Sequence, residues 1–213
     1  MMRSEFLLLV ILGLAGCASP LPSEKPLNVL PGALLFQDDF SSPTTGWDRL
    51  QYPEGIMDYD GGSYHMHVNA LQANFWSTAH KDFKDTRLEV DAGKLGGPDE
   101  NRIGLICRSD GQSYYFFMIS SDGYYAVGLL QNRRATLLGQ SAMLPSSAIK
   151  TGAAVNHLRV DCTGRDLTGY VNGVEVASAK DPTLSHGDVG VLAGTFGDPG
   201  VDIVFDNFAV LQP

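Results

Sequence analysis

The sequence predicts an all-β protein made of two antiparallel sheets packed face to face, and three observations support this fold class. Beyond Ala33, short alternating or wholly apolar runs are separated by turn residues, and no long stretch keeps a helical period. The pair Asn172-Gly173 lies between two such runs and is typical of a hairpin turn. A chain of 213 residues with 44% hydrophobic content can bury one core of this size.

The first twenty residues predict export and a lipid anchor. Arg3 precedes an apolar run, Phe6 to Leu14, that is shorter than the roughly 20 residues needed to span a bilayer. The motif Leu14-Ala15-Gly16-Cys17 resembles the bacterial lipobox, in which the cysteine becomes the lipidated first residue. The alternative is an ordinary secretory signal that ends in cysteine by chance. We expect residues 1–16 to be a signal peptide and Cys17 to anchor the protein to a membrane of the cell envelope, outside the cytoplasm.

Residues 17–33 are predicted to be a tether, and residues 34–213 the folded domain. The tether contains Pro20, Pro22, Pro26 and Pro31 and little periodicity, which is typical of an extended spacer. The formal net charge of -9 would repel phosphate backbones. We therefore expect the membrane as a partner through the lipid, and no nucleic acid.

The predicted strands follow one another along the domain at short intervals. Ser63 to Asn69 alternates apolar and polar residues, and Gln112 to Ser120 is almost wholly apolar. A turn at Asp122-Gly123 joins the second run to the next strand, Tyr124 to Leu130. Further strands are predicted at 156–163, 167–171, 174–178, 189–196 and 201–211. This number of short strands favours a sandwich.

Cys107 and Cys162 remain as an even pair once Cys17 carries lipid. In an oxidising compartment such a pair is expected to form a disulfide, which would stabilise the fold by roughly 4 kcal/mol. Two buried thiols are the alternative.

Several motifs of the domain carry a family resemblance. They are Asp38-Asp39-Phe40-Ser41, Gly46-Trp47, Gly104 to Arg108, Tyr115 to Ile119, Asn156 to Val160, Tyr170 to Gly173 and Phe205 to Phe208. Together they resemble the concanavalin A-like lectin/glucanase superfamily, and within it the laminin-G-like domains labelled 3-keto-disaccharide hydrolase-like. The resemblance implies a jelly roll whose terminal strands lie together and whose concave face often binds glycans, and it is stronger for fold than for chemistry.

Glu89 and Asp91 are candidates for half of a sugar-cleaving site, because residues two apart on a strand share a face. In the superfamily, the catalytic pattern has two glutamates with an aspartate between them on one strand. Here the second glutamate is missing, and Glu100 lies beyond a glycine turn. We therefore interpret Glu89 and Asp91 as a solvated strand face and predict no catalytic residue.

Two sets of residues are candidates for binding a metal ion. His65 and His67 share a strand face, but no third ligand is evident nearby, so exposed polar alternation explains them better than zinc. The resemblance also implies a structural calcium ion, for which Asp39, Gly62 and Asp206 match the oxygen ligands. Each aspartate could equally cap a turn.

A ligand-binding face is predicted from alternation. If Tyr115 and Phe117 point into the core, then Tyr114, Phe116, Met118 and Tyr124 point the other way together with Arg108. An aromatic face with one cation would stack on sugar rings or bind a protein, unless loops or the N-terminal segment cover it.

The resulting prediction is an anchored, non-catalytic recognition module for a glycan or another exposed polymer. The alternatives are a glycoside hydrolase with an atypical site and a structural subunit that binds an envelope protein.

Overall fold

The computed structural model describes residues 30–213, in which the regular elements are β-strands. Cys17 and most of the predicted tether lie outside the described residues. Within residues 30–213 no helix is long and apolar enough to cross a membrane. The strands are β1 (Leu34–Asp38), β2 (Leu50–Tyr52), β3 (Gly55–Asp60), β4 (Ser63–Val68), β5 (Asn74–Thr78), β6 (Thr86–Gly96), β7 (Asn101–Ser109), β8 (Tyr114–Ile119), β9 (Tyr124–Gln131), β10 (Arg134–Leu137), β11 (Leu144–Pro145), β12 (Val155–Thr163), β13 (Asp166–Val171), β14 (Val174–Lys180), β15 (Asp188–Thr195) and β16 (Val201–Leu211).

The strands form two antiparallel sheets, as predicted. The larger sheet has the order β14-β13-β12-β6-β16-β4-β3-β2, with β1 also paired to β16. The smaller sheet has the order β10-β9-β8-β7-β15-β5, with β11 also paired to β9. Phe36 of β1 faces Val210 of β16, which confirms that the terminal strands lie together.

The main core lies between the sheets and follows the alternation of the sequence. In β4, Tyr64, Met66 and Val68 are buried, whereas His65 and His67 lie on the outer side. The predicted hairpin after β13 is confirmed: Asn172 and Gly173 have φ values of 52° and 83°. Positive φ at both central residues is what a type I′ turn requires.

A disulfide joins the two sheets. The Cys107 and Cys162 sulfur atoms are 2.00 Å apart, and the bond connects β7 of the smaller sheet to β12 of the larger one. The predicted pairing is therefore confirmed, and it links strands that are separated by 55 residues in the sequence.

Candidate functional site

Tyr114, Phe116 and Met118 lie on the outer face of the smaller sheet, turned away from the main core as predicted. They form a second apolar cluster with Ile106 and Leu192. Three side chains from β9, β10 and the connection after β10 pack against this cluster: Leu130, Leu137 and Met143. The predicted aromatic surface is consequently the floor of a covered pocket, and its contact with a ligand stays a prediction.

The prediction that the Arg108 side chain points to this face was wrong, although the residue contributes to the lining of an open groove next to Trp76 of β5. Between Ile106 and Ser109, β7 has one more residue than the stretch of β15 that it faces, which is a β-bulge. Arg108 sits in the bulge with φ 54°, and its side chain is only 2% exposed. Its guanidinium donates hydrogen bonds to four backbone carbonyls and to the Asp85 carboxylate. Arg108 therefore has a structural role at one end of the sandwich.

The covered pocket, which we call the Tyr114 pocket, has a volume of about 220 Å³. Leu137 and Met143 form one wall, and Asn74 and Arg102 form a polar corner. Phe116 packs against Gly128 of the neighbouring strand β9, where an added Cβ would lie 2.3 Å from the edge of the Phe116 ring. Glycine at this position is what allows the ring to lie close to the sheet.

Arg102 and Tyr114 supply the polar groups of the Tyr114 pocket. Arg102 Nη1 donates a hydrogen bond of 2.9 Å to Asn74 Oδ1, and its guanidinium lies 4.0 Å from the centre of the Phe196 ring. Burial lowers the pKa of Arg102, but a guanidinium stays charged in proteins. Burial raises the pKa of Tyr114 to about 12, so its hydroxyl is neutral at physiological pH.

Trp76 of β5 is an exposed aromatic residue of this face. Its ring is 5.8 Å from that of Tyr114, and the residue is 37% exposed. It borders an open groove of about 800 Å³, which we call the polar groove, and a second hollow of about 590 Å³ near Arg133. Trp76 thus presents an aromatic surface to two hollows.

The polar groove is lined by hydrogen-bonding side chains. His80 lies between two carboxylates, with Nε2 3.5 Å from Asp48 Oδ1 and Nδ1 3.9 Å from Asp188 Oδ2. Asp48 is held in place by Ser77, whose hydroxyl donates to its carboxylate and accepts from its backbone N–H. The groove therefore offers both donors and acceptors beside an aromatic ring.

Tyr124 also lies on this side of the molecule and is 40% exposed. It borders a hollow of about 430 Å³ together with Glu100. This hollow shares Met143 and Phe196 with the Tyr114 pocket. The structure thus brings four of the five predicted ligand-binding residues to one face, with Arg108 as the exception.

Glu89 and Asp91 lie on the outer side of the larger sheet, as interpreted from the sequence. Asp91 Oδ1 is 2.8 Å from His157 Nδ1, and Asp91 Oδ2 accepts a hydrogen bond from Asn207. Glu89 Oε2 is 3.8 Å from His157 Nε2. The two carboxylates are therefore separated from the grooves by the thickness of the sandwich.

The residues predicted to bind calcium lie in the larger sheet or in its connections. Among residues 30–213, no group of three or more His, Cys, Asp or Glu side chains is arranged to hold a metal ion. The predicted calcium set relies in part on the Gly62 carbonyl, in the turn between β3 and β4. Asp206 lies next to this turn, because Phe205 faces Tyr64, and Asp39 directly follows β1. This placement is compatible with an oxygen-ligand site, and calcium binding stays a prediction.

The His65 side chain interacts with an aspartate of the adjacent strand. Its Nε2 lies 2.5 Å from Asp202 Oδ1 on β16, and His67 is on the same outer side of β4. Both histidines belong to a half-buried polar strand face.

Neither a family model nor a curated protein matches the chain by sequence. Solved structures do match its fold. The carbohydrate binding module CBM66 from Bacillus subtilis has a TM-score of 0.64 at 18% identity and covers 79% of this chain and 96% of its own. A Bacillus subtilis protein of unknown function with a galectin-like fold has a TM-score of 0.63 at 15% identity, covering 86% and 97%.

A third structure of this kind is a Bacteroides ovatus mixed-linkage glucan GH16 protein in complex with a G4G4G3G product. Its TM-score is 0.59 at 12% identity, and the match covers 84% of this chain and all of the other. At these identities the similarity shows the fold alone. It confirms the predicted jelly-roll sandwich of two antiparallel sheets.

Sequence reasoning missed Trp76, Arg102 and Asn74. A signal for Trp76 was present, because Phe75 and Trp76 are adjacent in a strand and only one of them can face the core. Arg102 and Gly104 are two positions apart on β7, so both lie on the same side of the smaller sheet. Its position in a pocket depends on Phe196 and Asn74, which come from other strands and connections.

Proposed function

We propose that this protein is an extracytoplasmic lipoprotein, anchored through Cys17, whose β-sandwich is a non-catalytic module that binds a glycan. The binding surface is the outer face of the smaller sheet. The observation that carries the proposal is the half-exposed Trp76 between two polar hollows. The fold similarity to a carbohydrate binding module and to a glucan-complexed GH16 protein supports it.

Sugar rings combine apolar faces with a rim of hydroxyl groups, and Trp76 with the polar groove offers the matching chemistry. The indole ring provides a flat apolar surface, while Asp48, His80 and Thr78 can exchange hydrogen bonds with hydroxyls. The volume of about 800 Å³ falls within the range of roughly 300–1,000 Å³ that is typical of ligand pockets.

The module is proposed to be non-catalytic because the carboxylate pattern of the glucanases that the sequence resembles, which supplies the two groups that flank the scissile bond, is incomplete. The strand carrying Glu89 and Asp91 lacks the second glutamate of the related glucanases. Both residues also lie on the side of the sandwich opposite to Trp76.

The test is binding of the full chain, purified in detergent, to a glycan array. We expect Trp76→Ala to weaken binding to any recognised glycan about tenfold or more, since buried tryptophans often dominate binding energy. The matched control is Tyr52→Ala, which removes an exposed aromatic ring from an edge strand of the larger sheet. Unchanged binding by Trp76→Ala would exclude this face. Release of reducing sugar from a bound glycan would favour the hydrolase alternative instead.

The anchor is tested separately with Cys17→Ser. Because membrane attachment depends on lipid bound to the Cys17 sulfur, the variant should leave the membrane fraction or remain unprocessed. Metabolic labelling with a radioactive fatty acid reports the modification directly. Unchanged labelling and unchanged processing of the variant would refute the lipoprotein proposal.

A further inference from the structure

Among residues 30–213, Arg102 combines partial burial with the lack of a carboxylate partner, whereas the other arginines without an ion pair, Arg133, Arg134 and Arg165, are exposed. Arg49, Arg87, Arg108 and Arg159 each form an ion pair with an aspartate. Among residues 30–213, no carboxylate lies within ion-pairing distance of Arg102, although the side chain is partly buried. Its protein contacts are an amide oxygen and an aromatic ring, both neutral. An unpaired, partly desolvated cation costs free energy of folding, which is typical of a functional group.

The Tyr114 hydroxyl is a second polar group at the Tyr114 pocket. Tyr114 is only 1% exposed, yet its hydroxyl has no hydrogen bond to any residue in the described part of the chain. No fully enclosed polar side-chain atom among those residues lacks a partner, so this hydroxyl must open into the pocket that Tyr114 lines. A donor is therefore presented to the same space as the Arg102 guanidinium.

We propose that the Tyr114 pocket is a subsite for the carboxylate of an acidic sugar, held by Arg102 and by the Tyr114 hydroxyl. This inference rests on the proposed glycan-binding function. The guanidinium offers a planar pair of N–H groups that matches the two oxygens of a carboxylate. The apolar walls at Leu137 and Met143 exclude water, which strengthens an ion pair formed there.

The volume of the Tyr114 pocket and the net charge of the protein favour a ligand with a single anionic group. The pocket volume of about 220 Å³ is below the roughly 300 Å³ at which pockets for larger ligands begin. It accommodates a substituent or one ring, whereas the rest of a glycan would extend toward Trp76. The net charge of -9 disfavours a polyanion, because its other charges would face an acidic surface.

The experiment compares glucuronic acid with glucose, which differ only in the carboxylate, by ligand-observed NMR titration of the full chain in detergent. We expect glucuronic acid to bind at least about tenfold more tightly, and Arg102→Gln to remove this preference. The matched control is Arg134→Gln, which removes an equal charge from the edge strand β10 of the same sheet and should keep the preference. Tighter binding of glucose 6-sulfate than of glucuronic acid would overturn the carboxylate assignment.

Folding and function are separated by two further measurements. Arg102→Gln should change the melting temperature little, since no ion pair is lost, a partly desolvated charge is removed, and the glutamine amide can donate to Asn74 Oδ1 instead. Equal affinities for glucuronic acid and glucose, or a preference that survives Arg102→Gln, would overturn the subsite. If neutral glycans are still bound through Trp76, that result leaves the proposed function intact. Absence of binding to every glycan on the array, acidic or neutral, would overturn the proposed function as well.

Discussion

Arg108→Met removes a buried charge that connects three parts of the chain. The guanidinium donates to the carbonyls of Lys84, Cys162, Gly164 and Leu184 and to the Asp85 carboxylate. These acceptors belong to the connection before β6, to the end of β12 with the turn that follows it, and to the connection between β14 and β15. Methionine keeps much of the length and apolar volume of arginine, so the substitution mainly tests the loss of these hydrogen bonds.

The expected cost is about 3 to 5 kcal/mol, the range for removing one partner of a buried ion pair. Each buried carbonyl left without a donor costs about 1 to 3 kcal/mol, but such costs are not additive. The side chain of Asp85 is 30% exposed, so water replaces part of what that carboxylate loses. For a domain of this size, about 2 to 4 °C are lost per kcal/mol, which predicts a melting temperature lower by about 6 to 20 °C.

Thermal unfolding followed by circular dichroism measures the effect, and glycan binding is measured below the transition of the variant. A structural role for Arg108 predicts a large fall in melting temperature with unchanged affinity per folded molecule. The exposed Arg134→Gln serves as a control and should shift stability by less than about 0.5 kcal/mol. Lost binding together with an unchanged melting temperature would refute this reasoning and return Arg108 to the ligand-binding face.

Three further predictions concern the rest of the molecule. Reduction of Cys107 and Cys162 should remove about 4 kcal/mol of stability, seen as a calorimetric transition lower by about 8 to 16 °C; two titratable thiols in unreduced, denatured protein would contradict the bond. Glu89→Gln should change stability by no more than about 0.5 kcal/mol, and wild type should release no product from β-glucans; turnover that disappears in the variant would overturn the non-catalytic proposal. Calcium should raise the melting temperature of wild type and have no such effect on Asp206→Asn, whereas identical responses would exclude the site.

The features that depend on local pattern could be predicted from the sequence. The strand predicted at 201–211 has these limits in the structure, because burial alternates along it on both sides of one irregularity at Asp206 and Asn207. The hairpin at Asn172 and Gly173 formed as expected, because the turn type is set by those two residues. The predicted apolar run Gln112 to Ser120 contains the strand Tyr114–Ile119, and the even and odd members of this strand face opposite sides.

The covering of Tyr114, Phe116 and Met118 could not be predicted in the same way. Alternation states which side of a strand a residue faces, but not whether another segment lies over that side. Here Leu137 and Met143 come from residues that follow β9, and their contact with the cluster depends on how that segment folds back. The same contact creates the Tyr114 pocket, so the site is a tertiary feature.

Arg102 and Arg108 show where pattern-based prediction ends. They lie on one strand, six residues apart in the sequence, and strict alternation places both on the outer face of the smaller sheet. The bulge turns the Arg108 side chain away from the outer face. Gly187 on the neighbouring segment leaves room for the bulge, because a Cβ there would lie 2.5 Å from the Ser109 carbonyl oxygen. Because Gly187 follows Arg108 by 79 positions in the sequence, its role at the bulge can be predicted only once the pairing of the two segments is known. One arginine therefore finds acceptors inside the sandwich, while the other keeps an unpaired charge beside Tyr114, and this difference in partners makes Arg102 the binding candidate.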